Sequence, residues 1–409
     1  MKYRILTKTI KKAIKTFPAV VITGPRQSGK TTLLKELFSA THTYVNLENL
    51  DIRNQAINDP NAFLNQYKAP LIIDEIQYAP DLLSYIKTKI DDNRKPAQWL
   101  ITGSQNFVLM HGVTQSLAGR AAILSLLPLS LAERIDQGEL SQNVDSLLKT
   151  SQKENFSDKK FKTNLAEIIL RGHYPEIAYN NKVDKDIWCP SYITTYLERD
   201  VRNIASIGDL RQFENFLRLL ATRTGQILNL SELAKEIGIS FSTAKTWLSI
   251  LTSSYQIYLL EPYYRNIGKR IIKSPKVYFN DTALACYLLG LKTPETLLAS
   301  PYFPHLFETF IITDFWKRYL HFGQMPTMYY LRTRDGLEID LLLENNQKFE
   351  LFEIKSGSTI TSNHAHSLLR AKHDLGEVVN SINLISNTKE SFLLKDNLKN
   401  YRWSDILSR

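Results

Sequence analysis

Three features that are scarce or missing restrict the class of protein to which this chain of 409 residues can belong. It has only two cysteines, Cys189 and Cys286, which match neither a disulfide framework nor the ligand spacing of a zinc site. Its longest apolar runs, such as residues 121–127, are much shorter than the roughly 20 residues that cross a membrane. No apolar stretch follows the basic residues after Met1, so we expect no secretory signal. We therefore predict a cytoplasmic protein with no membrane partner.

The rest of the composition is that of a globular protein, with 43% hydrophobic and 22% charged residues. At roughly 100–200 residues per domain, the length predicts about two or three domains. Lys and Arg total 51 against 41 acidic residues, which gives a net charge of +10. This surplus favours an anionic partner, with nucleic acid as the first candidate, but it fits a mildly basic protein without such a partner equally well.

Up to about residue 130, short apolar runs alternate with helical spacing of apolar residues. The predicted strands are 19–23, 43–47, 71–74, 99–102 and 121–126, and the clearest helices are 31–38 and 82–90. Strands that alternate with helices in this way favour an α/β domain with a parallel sheet and crossover helices.

A phosphate-binding loop follows the first predicted strand. Residues 24–31, Gly-Pro-Arg-Gln-Ser-Gly-Lys-Thr, match G-x-x-x-x-G-K-[ST] between a strand and a helix, which is the P-loop pattern. Its N–H groups form an anion nest, and the N-terminus of the following helix adds positive potential. Lys30 is expected to reach the β- and γ-phosphates, and Arg26 has a structural role as its alternative. The residues predicted to bind ATP are Gly24, Pro25, Arg26, Gln27, Ser28, Gly29, Lys30, Thr31 and Thr32.

Two acids end the third predicted strand, and they supply the metal and water chemistry that a P-loop requires. Asp74, together with the hydroxyl of Thr31, is expected to hold Mg²⁺, and Glu75 to orient and polarise the attacking water. A solvated turn is the alternative for two acids at a strand end. Together with the P-loop, they predict an ATPase that uses ATP and Mg²⁺.

Two further positions are candidates for the same site. Ser104 and Gln105 follow the fourth strand, which is expected to lie beside the P-loop strand and place them near the γ-phosphate. Arg120 precedes the fifth strand and is a candidate to stabilise transition-state charge, in its own subunit or in a neighbour of a homo-oligomer. The alternatives are an ordinary strand end and a surface arginine.

Six motifs together resemble a prokaryotic ATPase family that couples an AAA-type P-loop core to an uncharacterised C-terminal region. They are GPRQSGKT, LIIDEIQ, ITGSQ, LAGR, RGHYPE and YLERDV. The resemblance implies an AAA+/ASCE-like P-loop NTPase sheet with an additional strand, then a winged-helix element, then a restriction-endonuclease-like domain. It departs from the family at His173, where an RGG-type motif is common.

The domain boundaries expected from these observations are 1–140 for the ATPase core, 141–300 for a helical region and 301–409 for the nuclease-like domain. The winged helix is expected at about 205–285, and polar residues 136–162 predict a linker or insertion. In the helical region, Arg171 and Arg199 are candidates to sense nucleotide, with an ion-pair network between domains as the alternative.

A helix–turn–helix is predicted in the middle of the chain. A capped helix from Leu230 ends at Gly238, and a second helix covers 242–251. Ala244, Trp247, Leu248 and Leu251 are expected to point inward, and Ser242, Thr243, Lys245, Thr246 and Ser249 outward. Strands at 257–260 and 276–279 are expected to form a wing with a basic tip at 264–270, suited to DNA phosphates. A packing or protein-contact module is the alternative.

The C-terminal part carries acids that resemble the PD-(D/E)xK nuclease site. Glu353 and Lys355 alternate on one face of a predicted strand, and Asp340 lies on its hairpin neighbour. Glu308, on a predicted helix 305–316, is a possible fourth member. In such a site Asp340 and Glu353 hold Mg²⁺ while Lys355 positions water. An inactive DNA-binding remnant and a plain ion pair are the alternatives.

The first functional hypothesis is therefore a nucleotide-switched ATPase that acts on DNA and has nuclease potential. The second is an ATP-dependent binding or regulatory switch whose C-terminal domains only recognise a partner. The third is a protein-remodelling ATPase that does not contact nucleic acid.

Overall fold

A computed structural model describes residues 2–104, 116–153, 164–196, 210–263, 274–395 and 397–409. The chain divides into two compact units. The first comprises Met1–Leu129, Ser253–Tyr255 and Tyr319–Gln324, and the second comprises Ser130–Thr252, Gln256–Arg318 and Met325–Arg409. Gln105, Arg199 and the basic tip at 264–270 lie outside the described residues. Within the described ranges, no helix is long and apolar enough to span a bilayer.

The first unit is built on a parallel sheet. Its elements are α1 (Leu6–Ala13), β1 (Ala19–Thr23), α2 (Lys30–Phe38), β2 (Thr43–Asn46), α3 (Leu50–Asn58), α4 (Pro60–Gln66), β3 (Leu71–Asp74), α5 (Leu82–Asp92), β4 (Trp99–Thr102) and β5 (Ala121–Ser125). The strand order is β2-β3-β4-β1-β5, and every pair is parallel. The fourth strand therefore lies beside the P-loop strand, as predicted, and is the additional strand between β1 and β3.

Apolar side chains cover both faces of this sheet, which is why its strands read as continuous apolar runs. Val21, Ile73 and Ile101 pack on one face with the apolar side of α5. On the other face the alternate residues of the same strands, such as Val20, pack with Leu33 of α2 and with α1. The C-terminal ends of β1, β3 and β4 are thereby held side by side.

The chain continues with a mostly helical region. Its elements are α6 (Leu131–Arg134), α7 (Val144–Lys153), α8 (Leu165–Arg171), α9 (Pro175–Tyr179), α10 (Lys185–Tyr196), α11 (Leu210–Ala221), β6 (Gln226–Ile227), α12 (Leu230–Ile237), α13 (Phe241–Ser253), β7 (Ile257–Leu260), β8 (Lys276–Phe279), α14 (Thr282–Leu288), α15 (Pro294–Ala299) and α16 (Phe303–His321). The segment 136–162, predicted to be a linker or an insertion, contains the helix α7. Buried Val144, Leu147 and Leu148 have helical spacing within a polar background.

The predicted pair of helices in this region is confirmed. The Asn229 side chain accepts a hydrogen bond from the Glu232 N–H at the start of α12, and Gly238 ends that helix at φ 77°. In α13, Ala244, Trp247 and Leu251 are buried. Leu248 and Thr243 are half-buried, and the other predicted outward residues, Ser242, Lys245, Thr246 and Ser249, are exposed. A small antiparallel sheet of order β6-β8-β7 flanks these helices in sequence, because β6 precedes α12 and both β7 and β8 follow α13.

The C-terminal part of the second unit is a mixed sheet. Its elements are β9 (Met328–Arg332), β10 (Glu338–Asn345), β11 (Lys348–Lys355), α17 (His366–Leu375), β12 (Val379–Ser386), β13 (Phe392–Lys395), β14 (Leu398–Arg402) and α18 (Trp403–Leu407). The order is β13-β14-β12-β11-β10-β9, with β12 parallel to both β11 and β14 and the other pairs antiparallel. Leu368 and Ala371 of α17 pack in the core of one face, which orients β10 and β11 beside each other.

Candidate functional site

The P-loop turns sharply between β1 and α2, and glycine is required where it does. Gly24 has φ 143°, and a Cβ there would lie 2.1 Å from the carbonyl oxygen of Leu126. Gly29 precedes α2 with φ 95°, in the region that favours glycine. These backbone conformations wrap the loop around the N-terminus of α2, which begins at Lys30. The loop therefore fits an anionic phosphate group, which the positive end of a helix attracts.

The Lys30 ammonium is held inside this loop. Its Nζ donates hydrogen bonds to the carbonyl oxygens of Gly24, at 2.9 Å, and Pro25, at 2.8 Å, and the residue is buried. A cation at this position adds to the nest of backbone N–H groups. Lys30 therefore lies inside the P-loop, and its contact with the β- and γ-phosphates stays a prediction.

A residue that sequence reasoning missed supports the loop from behind. The buried guanidinium of Arg4 donates to the carbonyl oxygens of Ser28 and Leu127, each at 2.7 Å. It thereby ties the P-loop to the chain that follows β5. By contrast, Arg26 points to Glu48, with 3.9 Å between Nη1 and Oε1, and this contact fits its structural alternative.

Asp74 lies at the end of β3 and gathers three hydroxyl groups. The Thr31 hydroxyl donates to it at 2.8 Å, so the two predicted magnesium ligands are adjacent. The Tyr44 hydroxyl donates at 2.7 Å, and the Thr102 hydroxyl also donates. Burial, and then the hydrogen bond to Asp74, raise the pKa of Tyr44, which keeps its phenol protonated as a donor. Tyr44 and Thr102 come from the two strands that flank β3, and the sequence did not point to either.

The hydroxyl of Thr31 and the carboxylate of Asp74 fit a Mg²⁺ ion. Mg²⁺ prefers oxygen ligands and is usually held by one or two protein groups together with phosphate and water. The contact between Thr31 and Asp74 supplies this donor set beside the P-loop.

Glu75 follows Asp74 in a left-handed backbone conformation, with φ 59°. Its carboxylate accepts hydrogen bonds from the Ser104 hydroxyl, at 3.2 Å, and from the Gln77 amide. The Gln77 amide also lies 3.1 Å from the Ser104 oxygen. Ser104 thus contacts Glu75, while its expected position near the γ-phosphate stays a prediction. Gln77 was not among the residues predicted for the site. These hydrogen bonds can hold the Glu75 carboxylate in one orientation, at the same ends of the strands as the P-loop.

The predicted role of Arg120 within its own subunit is wrong for this arrangement. Arg120 precedes β5, and its carbonyl oxygen pairs with the Ala19 N–H at the start of β1, whereas the P-loop follows the end of β1. Because β1 and β5 are parallel, Arg120 lies at the N-terminal ends of the strands, whereas the P-loop lies at their C-terminal ends. Its guanidinium pairs instead with Asp91, at 2.6 and 2.9 Å. A role in a neighbouring subunit stays a prediction.

Arg171 is also accounted for by local structure. Its guanidinium donates to the carbonyl oxygens of Ile177, in α9, and of Asn180 and Val183, which lie between α9 and α10. This contact organises the backbone that leads into α10. Neither the predicted nucleotide sensing nor the alternative ion-pair network describes it.

The first unit is a P-loop ATPase core. Its five-stranded parallel sheet carries the glycine turn, the buried lysine and the acid pair at the C-terminal ends of its strands. Comparison with known families agrees, because residues 16–135 match the model of the AAA domain, a class of ATP-binding and ATP-hydrolysing domains. Residues 162–295 and 303–407 match two models that are each described as a domain of unknown function, DUF8612 and DUF4143.

Two mycobacterial proteins are similar along most of the chain. The uncharacterized proteins Rv2008c of Mycobacterium tuberculosis and Mb2031c of Mycobacterium bovis are each 31% identical to it over 352 residues, which cover 86% of this chain and 73% of theirs. This chain belongs to the same family as those two proteins, an AAA-type ATPase family with C-terminal domains of unknown function.

Solved structures are more distant. The Walker-type ATPase PABY2304 of Pyrococcus abyssi is 13% identical with a TM-score of 0.43, covering 69% of this chain and 94% of its own. The RuvB Holliday junction branch migration motor of Thermotoga maritima is 19% identical with a TM-score of 0.30, covering 62% of this chain and 88% of its own. At these scores the likeness says nothing about what this chain acts on.

The second candidate site, in the C-terminal part, brings together the acids predicted there. The Asp340 carboxylate accepts a hydrogen bond from the Ile354 N–H at 2.8 Å, which joins β10 to β11. Lys355 donates to Glu353 Oε1 at 2.6 Å. Burial, and then the charge of Asp340, raise the pKa of Glu353 to about 8. The predicted proximity of Asp340, Glu353 and Lys355 is therefore observed.

A lysine that the sequence did not predict lies among these acids. Lys276 of β8 is buried, and its Nζ lies 2.9 Å from Glu338, 3.1 Å from Glu308 and 3.5 Å from Asp340. Burial alone would lower its pKa, but the charges of these carboxylates hold the pKa of Lys276 well above its usual value. The ammonium is therefore charged. We refer to Glu308, Glu338, Asp340 and Glu353 as the carboxylate cluster.

The Mg²⁺ ion expected between Asp340 and Glu353 does not fit this arrangement. An ammonium already lies against Asp340 and Glu308, and a second ammonium, that of Lys355, lies against Glu353. The metal-ligand prediction for Asp340 and Glu353 therefore stays a prediction, and the two lysines count against it because they balance the charge that the metal was expected to balance.

Proposed function

We propose that this chain is a Mg²⁺-dependent ATPase that works as a nucleotide-controlled switch on DNA. The observation that carries the proposal is the contact of Thr31 with Asp74 beside the Lys30 cradle, because it joins a phosphate site to a metal site. The first unit would bind and hydrolyse ATP. The second would recognise the DNA.

The proposed chemistry assigns one task to each residue. The loop N–H groups and Lys30 bind the triphosphate, and Thr31 and Asp74 hold Mg²⁺, which neutralises phosphate charge when bound. Glu75 orients the attacking water and accepts its proton. Ser104 and Gln77 position the Glu75 carboxylate through their hydrogen bonds. Positioning of this kind supplies most of the rate in phosphoryl transfer.

Tyr255 supports a switch, because it links the P-loop strand to a distant part of the sequence. Its hydroxyl lies 2.7 Å from the Thr23 hydroxyl at the end of β1, immediately before Gly24. Tyr255 itself follows α13 and precedes β7 along the chain. A shift of the P-loop on hydrolysis would therefore act directly on the segment between these two elements.

DNA recognition is supported by the order of elements α11, β6, α12, α13, β7 and β8. This is the order of a winged helix, with α13 as the recognition helix. The exposed face of α13 carries the hydrogen-bonding side chains of Ser242, Lys245, Thr246 and Ser249, with the exposed Phe241 at its start. The net charge of +10 favours an anionic polymer as the partner.

We also propose a PD-(D/E)xK-like fold for residues 301–409. The succession of α16, a three-stranded antiparallel meander, α17 and the parallel strand β12 supports it. The fold assignment does not bring nuclease chemistry with it, because Lys276 and Lys355 pair with the acids that such chemistry needs for metal. The second functional hypothesis, a switch whose C-terminal domains only recognise a partner, is the one this observation favours for that domain.

A phosphate-release assay on the full chain tests the ATPase proposal. We expect Mg²⁺-dependent turnover in the wild type, and no turnover in Lys30→Ala. Lys12→Ala is the matched control, because Lys12 is an exposed lysine on α1, and it should behave as wild type. Equal turnover in Lys30→Ala and Lys12→Ala would contradict the assigned site.

Fluorescence anisotropy with a labelled DNA duplex tests the partner. We expect the affinity to differ between the ATP-bound and ADP-bound chain and to fall in Lys245→Glu, whose side chain lies on the exposed face of α13. Lys235→Glu on α12 has the same charge change and is the control for overall charge. If neither nucleotide state binds duplex, DNA is not the partner, and a switch on a protein is then the better description.

A further inference from the structure

The carboxylate cluster holds more negative charge than a protein interior tolerates without cations. Glu308 comes from α16, Glu338 and Asp340 from β10, and Glu353 from β11, and the relative exposure of their side chains is between 10% and 32%. Carboxylates that are this close and this shielded are stable only when a cation or a metal pairs with them or when they take up a proton. The identity of that cation decides what the site can do.

Lys276 supplies the cation from a different element of the same unit. Its Nζ contacts three of the four acids within 3.5 Å, and its side chain is only 3% exposed. The Tyr278 hydroxyl, two residues further along β8, donates to Glu308 at 2.6 Å. One short strand therefore provides both the charge and a hydrogen-bond donor to the cluster.

We propose that Lys276 is the resident cation of the carboxylate cluster, and that with Lys276 in place the C-terminal domain does not bind a divalent metal. The inference concerns the second unit alone, and it holds whether or not the chain hydrolyses ATP.

The backbone position of Lys276 makes the ammonium a fixed occupant. Lys276 pairs with Ile227 of β6 on one side and with Leu260 of β7 on the other, so it lies on the central strand of its sheet. A central strand cannot move without breaking hydrogen bonds on both sides. A divalent cation would have to displace a buried ammonium from three carboxylates, and the displaced ammonium would lose all three ion pairs.

Glu353 shows that the acids could accept a metal if the lysine were absent. Its Oε1 accepts from Lys355, but among the described residues its buried Oε2 has no hydrogen-bond partner. An orphaned carboxylate oxygen beside Asp340 is an available ligand for a hard cation. Removal of the Lys276 ammonium should therefore convert a lysine-neutralised cluster into a divalent-cation site.

Terbium luminescence of the full, nucleotide-free chain tests the proposal with a readout that needs no enzyme activity. Tyr278 contacts Glu308 and would sensitise a Tb³⁺ ion bound in the cluster. The variants are Asp340→Asn, Lys276→Met and the double variant. Lys348→Met, which removes an exposed lysine at the start of β11, is the matched control. Asn at position 340 keeps an oxygen to accept from the Ile354 N–H.

We expect wild type, Asp340→Asn and Lys348→Met to give the same titration. Lys276→Met should gain a site that is about tenfold or more tighter, an apparent gain of at least 1.4 kcal/mol, and the double variant should lose it. A folded Lys276→Met chain that titrates like wild type would overturn the proposal.

If Lys276→Met does not fold, Mn²⁺ binding by the wild type and Asp340→Asn tests the proposal instead. Electron paramagnetic resonance counts free Mn²⁺ in titrations of wild type and Asp340→Asn. Equal numbers of bound ions support the lysine as resident cation. One ion fewer in Asp340→Asn would show that the wild-type cluster binds metal, and the proposal would be wrong.

Discussion

The hydroxyl oxygens of Tyr255 and Thr23 lie 2.7 Å apart, in the interior of the first unit. The Tyr255 hydroxyl also lies 3.0 Å from the Ser125 hydroxyl, so it bridges the ends of β1 and β5. Burial raises the pKa of Tyr255, which keeps the phenol neutral and able to donate. The strand that leads into the P-loop is therefore tied to a residue far away in the sequence.

Tyr255→Phe should separate coupling from catalysis. The ring stays and the hydroxyl goes, while Thr23 and Ser125 keep each other as partners at 3.1 Å. We expect a loss of about 1 kcal/mol in unfolding free energy, turnover close to wild type, and a smaller difference in DNA affinity between ATP and ADP. Thermal unfolding, phosphate release and duplex anisotropy measure the three quantities.

The control for this change is Tyr85→Phe, because Tyr85 is an exposed tyrosine on α5. It should leave all three quantities unchanged. A nucleotide-dependent affinity difference that is fully retained in Tyr255→Phe would show that the hydrogen bond plays no part in the switch.

Glu75→Gln should uncouple ATP binding from hydrolysis. The amide keeps the size of the side chain but cannot accept a proton from water, so we expect turnover to fall by about 10²–10⁴-fold with ATP affinity retained. Phosphate release and binding of a fluorescent ATP analogue give the two values. Asp92→Asn, an exposed acid at the end of α5, is the control. Unchanged turnover in Glu75→Gln would exclude Glu75 as the group that acts on water.

The P-loop and its acid pair could be predicted because each depends on short-range sequence. Gly24 and Lys30 lie in one loop, and Asp74 ends a strand whose four residues are all buried, so local patterning placed both. In a parallel sheet the C-terminal ends of all strands lie on the same side, so the loop and the acid pair are expected to lie close together even before the strand order is known.

The partners of these residues could not be predicted, because they depend on strand order. Tyr44 reaches Asp74 only because β2 lies next to β3, and Lys276 reaches Asp340 across 64 positions of sequence. The expectation that Arg120 lies near the P-loop of its own subunit failed because it also depends on strand direction. Arg120 precedes β5 and the P-loop follows the parallel strand β1, so the two lie at opposite ends of these strands. Local patterning does not contain either relation.

Tyr44→Phe should weaken the response to Mg²⁺. The Tyr44 hydroxyl orients the Asp74 carboxylate, and loss of a partner that orients a ligand typically lowers metal affinity about 10–100-fold. We expect the Mg²⁺ concentration for half-maximal turnover to rise within that range, with turnover recovering at saturating Mg²⁺. Tyr67→Phe, a tyrosine that follows α4, is the comparison. An unchanged Mg²⁺ curve would contradict a role for Tyr44 at the metal site.

Arg120→Ala distinguishes a structural pair from a charge that acts on a neighbour. Since Arg120 pairs with Asp91 at the edge away from the P-loop, we expect turnover of dilute protein to stay within about twofold of wild type, against the roughly 10³-fold or greater loss that follows removal of an arginine finger. The assay is repeated at rising protein concentration. A large loss only at high concentration, absent in Asp91→Ala, would establish action on a neighbouring subunit.

Two glycine substitutions test the backbone of the cradle. Gly24 and Gly119 both have positive φ, at 143° and 71°, but a Cβ on Gly24 would collide with the Leu126 carbonyl oxygen, whereas one on Gly119 has nothing within 4 Å. Gly119→Ala should therefore cost about 1–2 kcal/mol from backbone strain and leave ATP binding intact. Gly24→Ala carries the same kind of strain, and in addition either β1 or the chain after β5 must move. We expect it to abolish ATP binding and to lower the unfolding temperature by more than Gly119→Ala does. Equal ATP affinity in the two variants would mean that the close approach of Gly24 to Leu126 is not what shapes the phosphate site.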